Sequence, residues 1–135
     1  MPKFSTESLV KLSSCHPDLQ KIFKIAIEHI DFRITEGHRG QAAQDKAFAE
    51  GNSKVKWPNG NHNASPSLAV DALILPVDFD TSKPNNLGRY YFFAGLIRGI
   101  AIANNIKIKW GGDWDNDNDF SDEKFRDLVH FELIK

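Results

Sequence analysis

The chain lacks several features that mark particular classes of protein. Its 135 residues include a single cysteine, Cys15, which excludes an intramolecular disulfide and a zinc site built from a cysteine cluster. A single cysteine also suits folding in a reducing cytoplasm. The formal net charge is −1, so no overall field attracts nucleic acid or anionic lipid. Because no cysteine cluster is available, any zinc site must use histidine and carboxylate ligands.

Long apolar runs are also missing. Residues 1–19 contain no apolar stretch of signal-peptide length. The most apolar stretch, residues 90–103, is too short to span a bilayer and contains Arg98. We therefore expect no direct membrane insertion. The length and a hydrophobic fraction of 41% fit one globular domain over residues 1–135, which we expect to be a monomer.

Hydrophobic periodicity and capping signals predict helices and strands that cluster along the chain. The predicted helices are 5–14, 18–29, 40–50, 87–104 and a short piece near 121–127, and the predicted strands are 31–35, 68–75, 106–110 and 130–134. Ser5 or Thr6 would cap the first helix, and Gly51 would end the third. This order favours an α+β fold with a small, mostly antiparallel sheet packed with helices. The N-terminal helices occupy residues 1–30 and the core of the domain occupies 31–135.

Two histidines and two aspartates together have the composition of a mononuclear zinc hydrolase site. They are His62, Asp71, Asp127 and His130. Two neutral imidazoles and one carboxylate can hold the metal with one position left for water. A further carboxylate can accept the proton of that water as it attacks. The set therefore predicts a hydrolytic zinc cleft.

Each of these residues also has a purely structural explanation. Asp71 lies in an apolar strand, where burial requires a partner, and a metal ion, an arginine or a set of backbone amides would each serve. His62, in a polar loop, is by default a solvated residue, and His130 can be half-buried and bonded to the backbone. Asp127 can be a solvated acid at a helix end. Glu132 shares a strand face with His130, and suits either orientation of that ring or a rival role as base.

Four segments follow one another along the chain: TEGHRGQAAQDKAFAEGNSK, HNASPSLAVDA, WGGDW and DLVHFEL. Together, over roughly residues 30–134, they resemble the zinc D,D-carboxypeptidase and L-alanyl-D-glutamate endopeptidase family, which includes vancomycin-resistance carboxypeptidases and many phage endolysins. The resemblance implies zinc on two histidines and one aspartate: His62, Asp71 and His130. It also implies that Asp127 is the catalytic base and that Arg39 contacts the substrate or the developing oxyanion. His38 departs from the family pattern, in which an aromatic residue commonly precedes the arginine.

The resemblance implies a zinc-dependent peptidoglycan peptidase of the endolysin type. Such an enzyme hydrolyses the L-Ala–D-Glu bond of stem peptides, with Asp127 taking the proton from the attacking water. We expect Gln44, Ser53 and Trp114 to contact the substrate. An enzyme of this type accumulates in the host cytoplasm and acts at the cell wall after a partner breaches the membrane. The alternatives are a D-alanyl-D-alanine carboxypeptidase and a non-catalytic metal-binding module of the same fold.

A run of alternating aspartates resembles the start of an EF-hand calcium loop. The run comprises Asp113, Asp115, Asp117 and Asp119. The match is incomplete, because Asn118 replaces the turn glycine and Lys124 stands in the place of the closing glutamate. Asp122 or Glu123 would substitute only with altered geometry. We expect Ca²⁺ to order this loop and the catalytic residues that follow it, although a solvated Asp/Asn turn would show the same pattern.

Overall fold

The computed structural model describes residues 2–121, 123 and 126–134. Within them the chain forms four helices, four strands and a short 3-10 turn. The elements are α1 Thr6–Ser13, α2 Pro17–Ala26, β1 Phe32–Glu36, α3 Gln41–Ala49, the 3-10 turn Asn61–Asn63, β2 Ala69–Ile74, α4 Pro84–Ala103, β3 Ile108–Trp110 and β4 His130–Leu133. The predicted α+β class is confirmed.

The first two helices begin where a side chain caps them. The Ser5 hydroxyl accepts a main-chain N–H in the first turn of α1, as the sequence predicts. The ring of His16 does the same for α2, with Pro17 at the first helical position. The prediction that α2 extends to His29 is wrong. The helix ends at Ala26, and the N–H of His29 bonds back to the Ala26 carbonyl at 2.9 Å in a turn toward β1.

The four strands form one antiparallel sheet in the order β1-β2-β4-β3. Strands β2 and β4 lie at its centre, and their register places Asp71 directly opposite His130. On the other side of β2, an irregularity between Ile34 and Glu36 brings Glu36 opposite Asp71. The sheet therefore positions Asp71 between Glu36 and His130.

Four phenylalanines join the helices to the sheet. Phe23 of α2 and Phe93 of α4 each contact Phe32 in β1 and Phe131 in β4, with ring centroids 4.9–5.9 Å apart. All four side chains are buried, and such aromatic contacts contribute beyond the area they bury. Since successive strand residues point to opposite faces, Phe131 points into this core while its neighbour His130 points to the other face.

The helix α4 begins earlier than its apolar pattern predicts. It begins at Pro84 rather than Leu87, because proline fits the first turn of a helix, where its missing N–H costs no hydrogen bond. None of the helices in the described part of the chain is both long enough and apolar enough to cross a membrane.

The segment near 121–127, predicted to be helical, is only partly described. Residues 121, 123, 126 and 127 are not helical, while 122, 124 and 125 lie outside the described residues. The N–H of His130 bonds to the Asp127 carbonyl at 3.1 Å. A tight turn, rather than a helix end, therefore leads from Asp127 into β4.

Candidate metal centre and active-site cleft

Three donor atoms converge on one point at the two central strands of the sheet, on the face opposite the phenylalanine core. His62 Nε2 lies 3.2 Å from Asp71 Oδ1, His130 Nδ1 lies 3.1 Å from the same oxygen, and the two ring nitrogens are 3.3 Å apart. A tetrahedral zinc ion with bonds of about 2.0–2.1 Å separates its ligand atoms by about 3.3–3.4 Å. The three donors therefore stand close to the spacing that one small metal ion requires.

The fold brings each donor to this point by a different route. Asp71 and His130 are cross-strand partners in β2 and β4, so the sheet register sets their separation. His62 lies in the 3-10 turn, and its carbonyl accepts the N–H of Arg39 at 2.7 Å. This bond links the turn to the segment that follows β1. The predicted ligands are thus assembled from residues far apart in the sequence.

Hydrogen bonds on the outer side of each histidine fix the orientation of its ring. His62 Nδ1 lies 2.8 Å from the Gly37 carbonyl oxygen, so that nitrogen must carry the proton and donate it. His130 Nε2 lies 2.8 Å from Glu132 Oε1. Both rings can then present an unprotonated nitrogen to the centre, as metal-binding histidines do. Of the two roles considered for Glu132, this contact is the one expected of a residue that orients His130.

The electrostatics of the centre favour a positive charge there. Burial raises the pKa of Asp71, but hydrogen bonds from His130 and His62 outweigh it and hold that pKa well below its usual range. Burial lowers the pKa of His130, yet hydrogen bonds to Asp71 and Glu132 raise it to about 9. The carboxylates thus stabilise a proton on His130 when no metal is bound. A bound divalent cation would supply positive charge beside these carboxylates in place of that proton.

Asp127 is held beside the three donors by its backbone. Its N–H bonds to the Gly111 carbonyl at 2.9 Å, and the Gly111 N–H bonds to the His130 carbonyl at 2.8 Å. A Cβ on Gly111 would lie 2.0 Å from the Asp127 carbonyl oxygen, so only glycine fits. Burial, and then the charge of Asp71, raise the pKa of the Asp127 carboxyl. A carboxylate with a raised pKa is a better proton acceptor.

Arg39 points toward the centre from the segment after β1. Its Nη2 lies 4.0 Å from Asp71 Oδ2 and its Nε lies 3.5 Å from Glu36 Oε2. The side chain is 14% exposed, so these carboxylates act on it in a partly dehydrated setting, where charge interactions are stronger. Arg39 is therefore a fixed positive group at the edge of the candidate metal centre.

Gln44 holds Arg39 in place and joins it to a loop of the cleft wall. Its Oε1 accepts from Arg39 Nη1 at 3.1 Å and from Asn63 Nδ2 at 3.0 Å. Its Nε2 donates to Ser53 Oγ at 3.0 Å and to the Val55 carbonyl at 2.6 Å. Gln44 is 1% exposed. Because both ends of its amide are already occupied within the protein, the structure favours a supporting role over the predicted contact with substrate.

The sequence profile of the phage L-alanyl-D-glutamate peptidase family matches residues 1–134 of the chain. The chain belongs to this family. The L-alanyl-D-glutamate peptidase of Escherichia phage T5 is 29% identical over 138 aligned positions, which cover 98% of each protein. The peptidoglycan L-alanyl-D-glutamate endopeptidase CwlK of Bacillus subtilis (strain 168) is 27% identical over 120 positions, covering 78% of this chain and 62% of CwlK.

A solved structure of similar fold supports the same assignment. The crystal structure of the L-Ala D-Glu endopeptidase ChiX of Serratia marcescens matches with a TM-score of 0.73 at 25% sequence identity. The match covers 98% of this chain and 90% of the ChiX chain. The family and the fold expected from the sequence motifs are therefore confirmed.

In this member of the peptidase family, the donors open onto a cleft of about 750 Å³. Ser53 and Trp114, both predicted to contact substrate, line it. The Trp114 ring lies 5.3 Å from that of His130, next to the candidate metal centre. Two further cationic residues, Lys54 and Arg126, also line the cleft. Neither was predicted, since a lysine or arginine in a polar segment carries no periodic signal.

The acidic loop between β3 and β4 brings three of its four alternating aspartates together. Ligand oxygens of Asp113, Asp115 and Asp117 all lie within 4.8 Å of one another. Asp119 lies outside this group, and its Oδ1 accepts the N–H and hydroxyl of Ser121 at 2.9 and 2.6 Å. Its part in the predicted calcium site stays a prediction.

Asn118 explains how this family member forms the loop without the turn glycine. Its φ is +67°, in the left-handed region that asparagine tolerates better than most residues. Asp113, which is 3% exposed, accepts the Asn118 N–H at 2.9 Å. Of the two candidates for the closing ligand, Asp122 lies outside the described residues. Glu123 Oε1 is buried and has no hydrogen-bond partner among the residues described.

Proposed function

We propose that this protein is a zinc-dependent peptidase that hydrolyses the L-Ala–D-Glu bond of peptidoglycan stem peptides. The observation that carries the proposal is the convergence of His62, Asp71 and His130 in a cleft that also contains Asp127. Family membership supports the choice of bond, because the relatives from phage T5 and Bacillus subtilis are both named for it.

The donor set suits zinc. Two imidazole nitrogens and one carboxylate oxygen, with no thiolate, form the ligand set typical of catalytic zinc sites with an open position. Zinc in such a site supplies a Lewis acid and lowers the pKa of water from 15.7 to about 7. His62, Asp71 and His130 would hold it, and Gly37 and Glu132 would keep the two rings oriented.

Asp127 and Arg39 carry the chemistry that the chain itself supplies. Asp127, with its raised pKa, takes a proton from the attacking water and returns it to the nitrogen of the departing amine. Arg39 stabilises the negative charge that develops on the carbonyl oxygen. Because Gln44 fixes the Arg39 side chain before substrate arrives, this charge stabilisation requires little rearrangement.

We further propose that Ca²⁺ binds the acidic loop and orders the catalytic turn after it. Three clustered carboxylates from Asp113, Asp115 and Asp117 supply the oxygen ligands that calcium prefers. Burial, and secondarily the charge of Asp115, raise the pKa of Glu123, so part of this shift comes from repulsion between two carboxylates. A divalent cation would relieve that repulsion.

The remaining parts of the proposal concern the working form of the protein. Residues 1–30 and 31–135 act together as one peptidase domain that functions as a monomer. The protein accumulates in the host cytoplasm and reaches peptidoglycan after a partner breaches the membrane. The chain belongs to a phage peptidase family, and a phage protein is made inside its host cell.

The proposal is tested by metal content together with turnover of purified peptidoglycan, for the wild type and for Asp127→Ala. We expect both proteins to bind one zinc ion and only the wild type to release new amino termini. Mass analysis of the fragments then names the bond: release of single D-alanine would indicate a carboxypeptidase instead. If both proteins bind zinc and neither cleaves, the chain is a metal-binding module and the enzymatic proposal is wrong.

A further inference from the structure

The proposed substrate carries a negative charge next to the bond that is cut. Glutamate has one amino group and two carboxyl groups, and in an L-Ala–D-Glu bond the amino group is the one that is acylated. Only one carboxyl is needed to continue the peptide, so the other remains a free carboxylate a few bonds from the departing nitrogen. An enzyme that selects this bond gains specificity by placing a cation beside that carboxylate.

We propose that Arg126 binds this free carboxylate of the D-Glu residue and so sets the preference for the L-Ala–D-Glu bond. The inference rests on the proposed function. Among the residues that the structure describes, three lysine or arginine side chains line the cleft: Arg39, Lys54 and Arg126. Their surroundings differ in ways that favour Arg126 for this task.

The charge of Arg39 is already engaged. Its Nε faces Glu36 at 3.5 Å and its Nη2 faces Asp71 at 4.0 Å, while its Nη1 donates to Gln44. A substrate carboxylate at Arg39 would have to share it with Asp71. The position of Arg39 beside the candidate metal centre fits the developing oxyanion better than a carboxylate on the departing side.

The side chain of Arg126 is anchored by a partner that is not a carboxylate. Its Nη2 donates to the Phe120 carbonyl oxygen at 3.1 Å, an uncharged partner, and within the described part of the chain it forms no ion pair. The Phe120 ring contacts Tyr91 and Trp110 at 5.2 and 5.7 Å, so the anchor is itself packed. The remaining N–H groups of the exposed guanidinium can form the paired hydrogen bonds that arginine makes with a carboxylate.

Arg126 lies next to the proposed proton donor, just as the free carboxylate of D-Glu lies near the nitrogen that receives the proton. Arg126 immediately precedes Asp127, whose backbone is fixed to Gly111 by a hydrogen bond of 2.9 Å. Asp127 is the group proposed to return a proton to the departing nitrogen, and the free carboxylate of D-Glu lies a few bonds from that nitrogen. The neighbour of the proton donor is therefore well placed to bind the carboxylate.

The test compares two synthetic peptides that differ at one group: an L-Ala–D-Glu peptide with the free carboxylate, and the same peptide with that carboxylate converted to a carboxamide. We expect the wild type to prefer the carboxylate form. A hydrogen-bonded charge pair contributes about 1.5–3 kcal/mol, so Arg126→Gln should lower kcat/KM for that form by about 10- to 100-fold. It should change kcat/KM for the carboxamide form little, and Arg126→Lys should fall between.

Lys54→Gln is the matched control, because it removes a positive charge from the same cleft. We expect it to leave the ratio of the two kcat/KM values unchanged. Zinc content and melting temperature are measured for each variant to show that the site is intact. The inference is overturned if Arg126→Gln lowers kcat/KM equally for both peptides, or if Lys54→Gln abolishes the preference for the carboxylate form instead. In either case the peptidase proposal stands. If the wild type cleaves neither peptide, the proposed function itself is contradicted.

Discussion

His130 Nε2 lies 2.8 Å from Glu132 Oε1, two residues further along the same face of β4. The other carboxylate oxygen of Glu132 accepts from Asn61 Nδ2 at 2.7 Å, so the orienting group is itself held. With Nε2 occupied, the ring turns Nδ1 toward Asp71 and His62. A strand of four residues thus supplies both a candidate metal ligand and the carboxylate that aligns it.

Removing that carboxylate should weaken metal binding without removing a ligand. Loss of such an outer partner typically lowers metal affinity by about 10- to 100-fold, and we expect Glu132→Ala to raise the dissociation constant for zinc by that factor. The measurement is a competition titration against a chelator of known affinity. Glu36→Ala is the control, because Glu36 faces Arg39 rather than a histidine. Equal zinc affinity in Glu132→Ala and wild type would show that the contact does not orient the ligand.

The metal-free protein should lose stability as the pH rises from about 6.5 to about 9. Hydrogen bonds to Asp71 and Glu132, opposed by burial, raise the pKa of His130 from 6.5 to about 9 in the folded state. A group with a raised folded pKa contributes its full stability below the unfolded pKa, and that contribution disappears as the pH passes the folded pKa. Melting temperatures of chelator-treated protein across this range check the prediction.

The zinc-loaded protein should show the opposite trend over the same range, because zinc needs His130 unprotonated and binds more tightly as the pH rises. In His130→Gln, the decline in the melting temperature of the metal-free protein should be absent. A decline of equal size in His130→Gln would assign the effect to another group.

Two of the three candidate ligands are locally conspicuous in the sequence, whereas His62, in a polar loop, could be predicted only together with the others. Asp71 is an acid within an apolar strand, which requires a partner when buried. His130 and Glu132 alternate in a strand, so they must share a face. The register that places Asp71 opposite His130 could not be predicted, because strand pairing depends on contacts between segments distant in the chain.

The supporting residues were harder to predict for the same reason. Residues 40–50 were predicted to be helical, and α3 occupies Gln41–Ala49, but its weak apolar pattern did not show that Gln44 faces inward. Arg126 lies in the segment near 121–127 that is predicted to be helical, but residue 126 is not helical, and its contact with Phe120 depends on the path of a loop. Local propensity therefore predicted the elements, while long-range packing decided which polar side chains support the site.

Gln44→Leu should lower both stability and turnover. Gln44 makes four hydrogen bonds from a fully buried amide, and a buried group left without a partner costs about 1–3 kcal/mol. We expect the free energy of unfolding to fall by at least that amount, measured by urea denaturation. Because Arg39 loses its anchor, kcat should fall while zinc affinity is retained. Asp45→Ala, at an exposed position in the same helix, is the control. Wild-type kcat in Gln44→Leu would show that Arg39 does not need this support.

Calcium should raise both melting temperature and activity at constant zinc. The acidic loop precedes the turn that carries Asp127, and a ligand at about 100 times its dissociation constant adds about 2.7 kcal/mol to the stability of the state it binds. Asp115→Asn and Asp117→Asn remove members of the cluster and should abolish the response. Asp119→Asn should keep it, because the Asp119 carboxylate accepts from Ser121 instead. Loss of the response in all three variants would place the ion elsewhere in the loop. Melting temperature and activity unaffected by calcium in the wild type would show that the loop is an Asp/Asn turn ordered by its own hydrogen bonds.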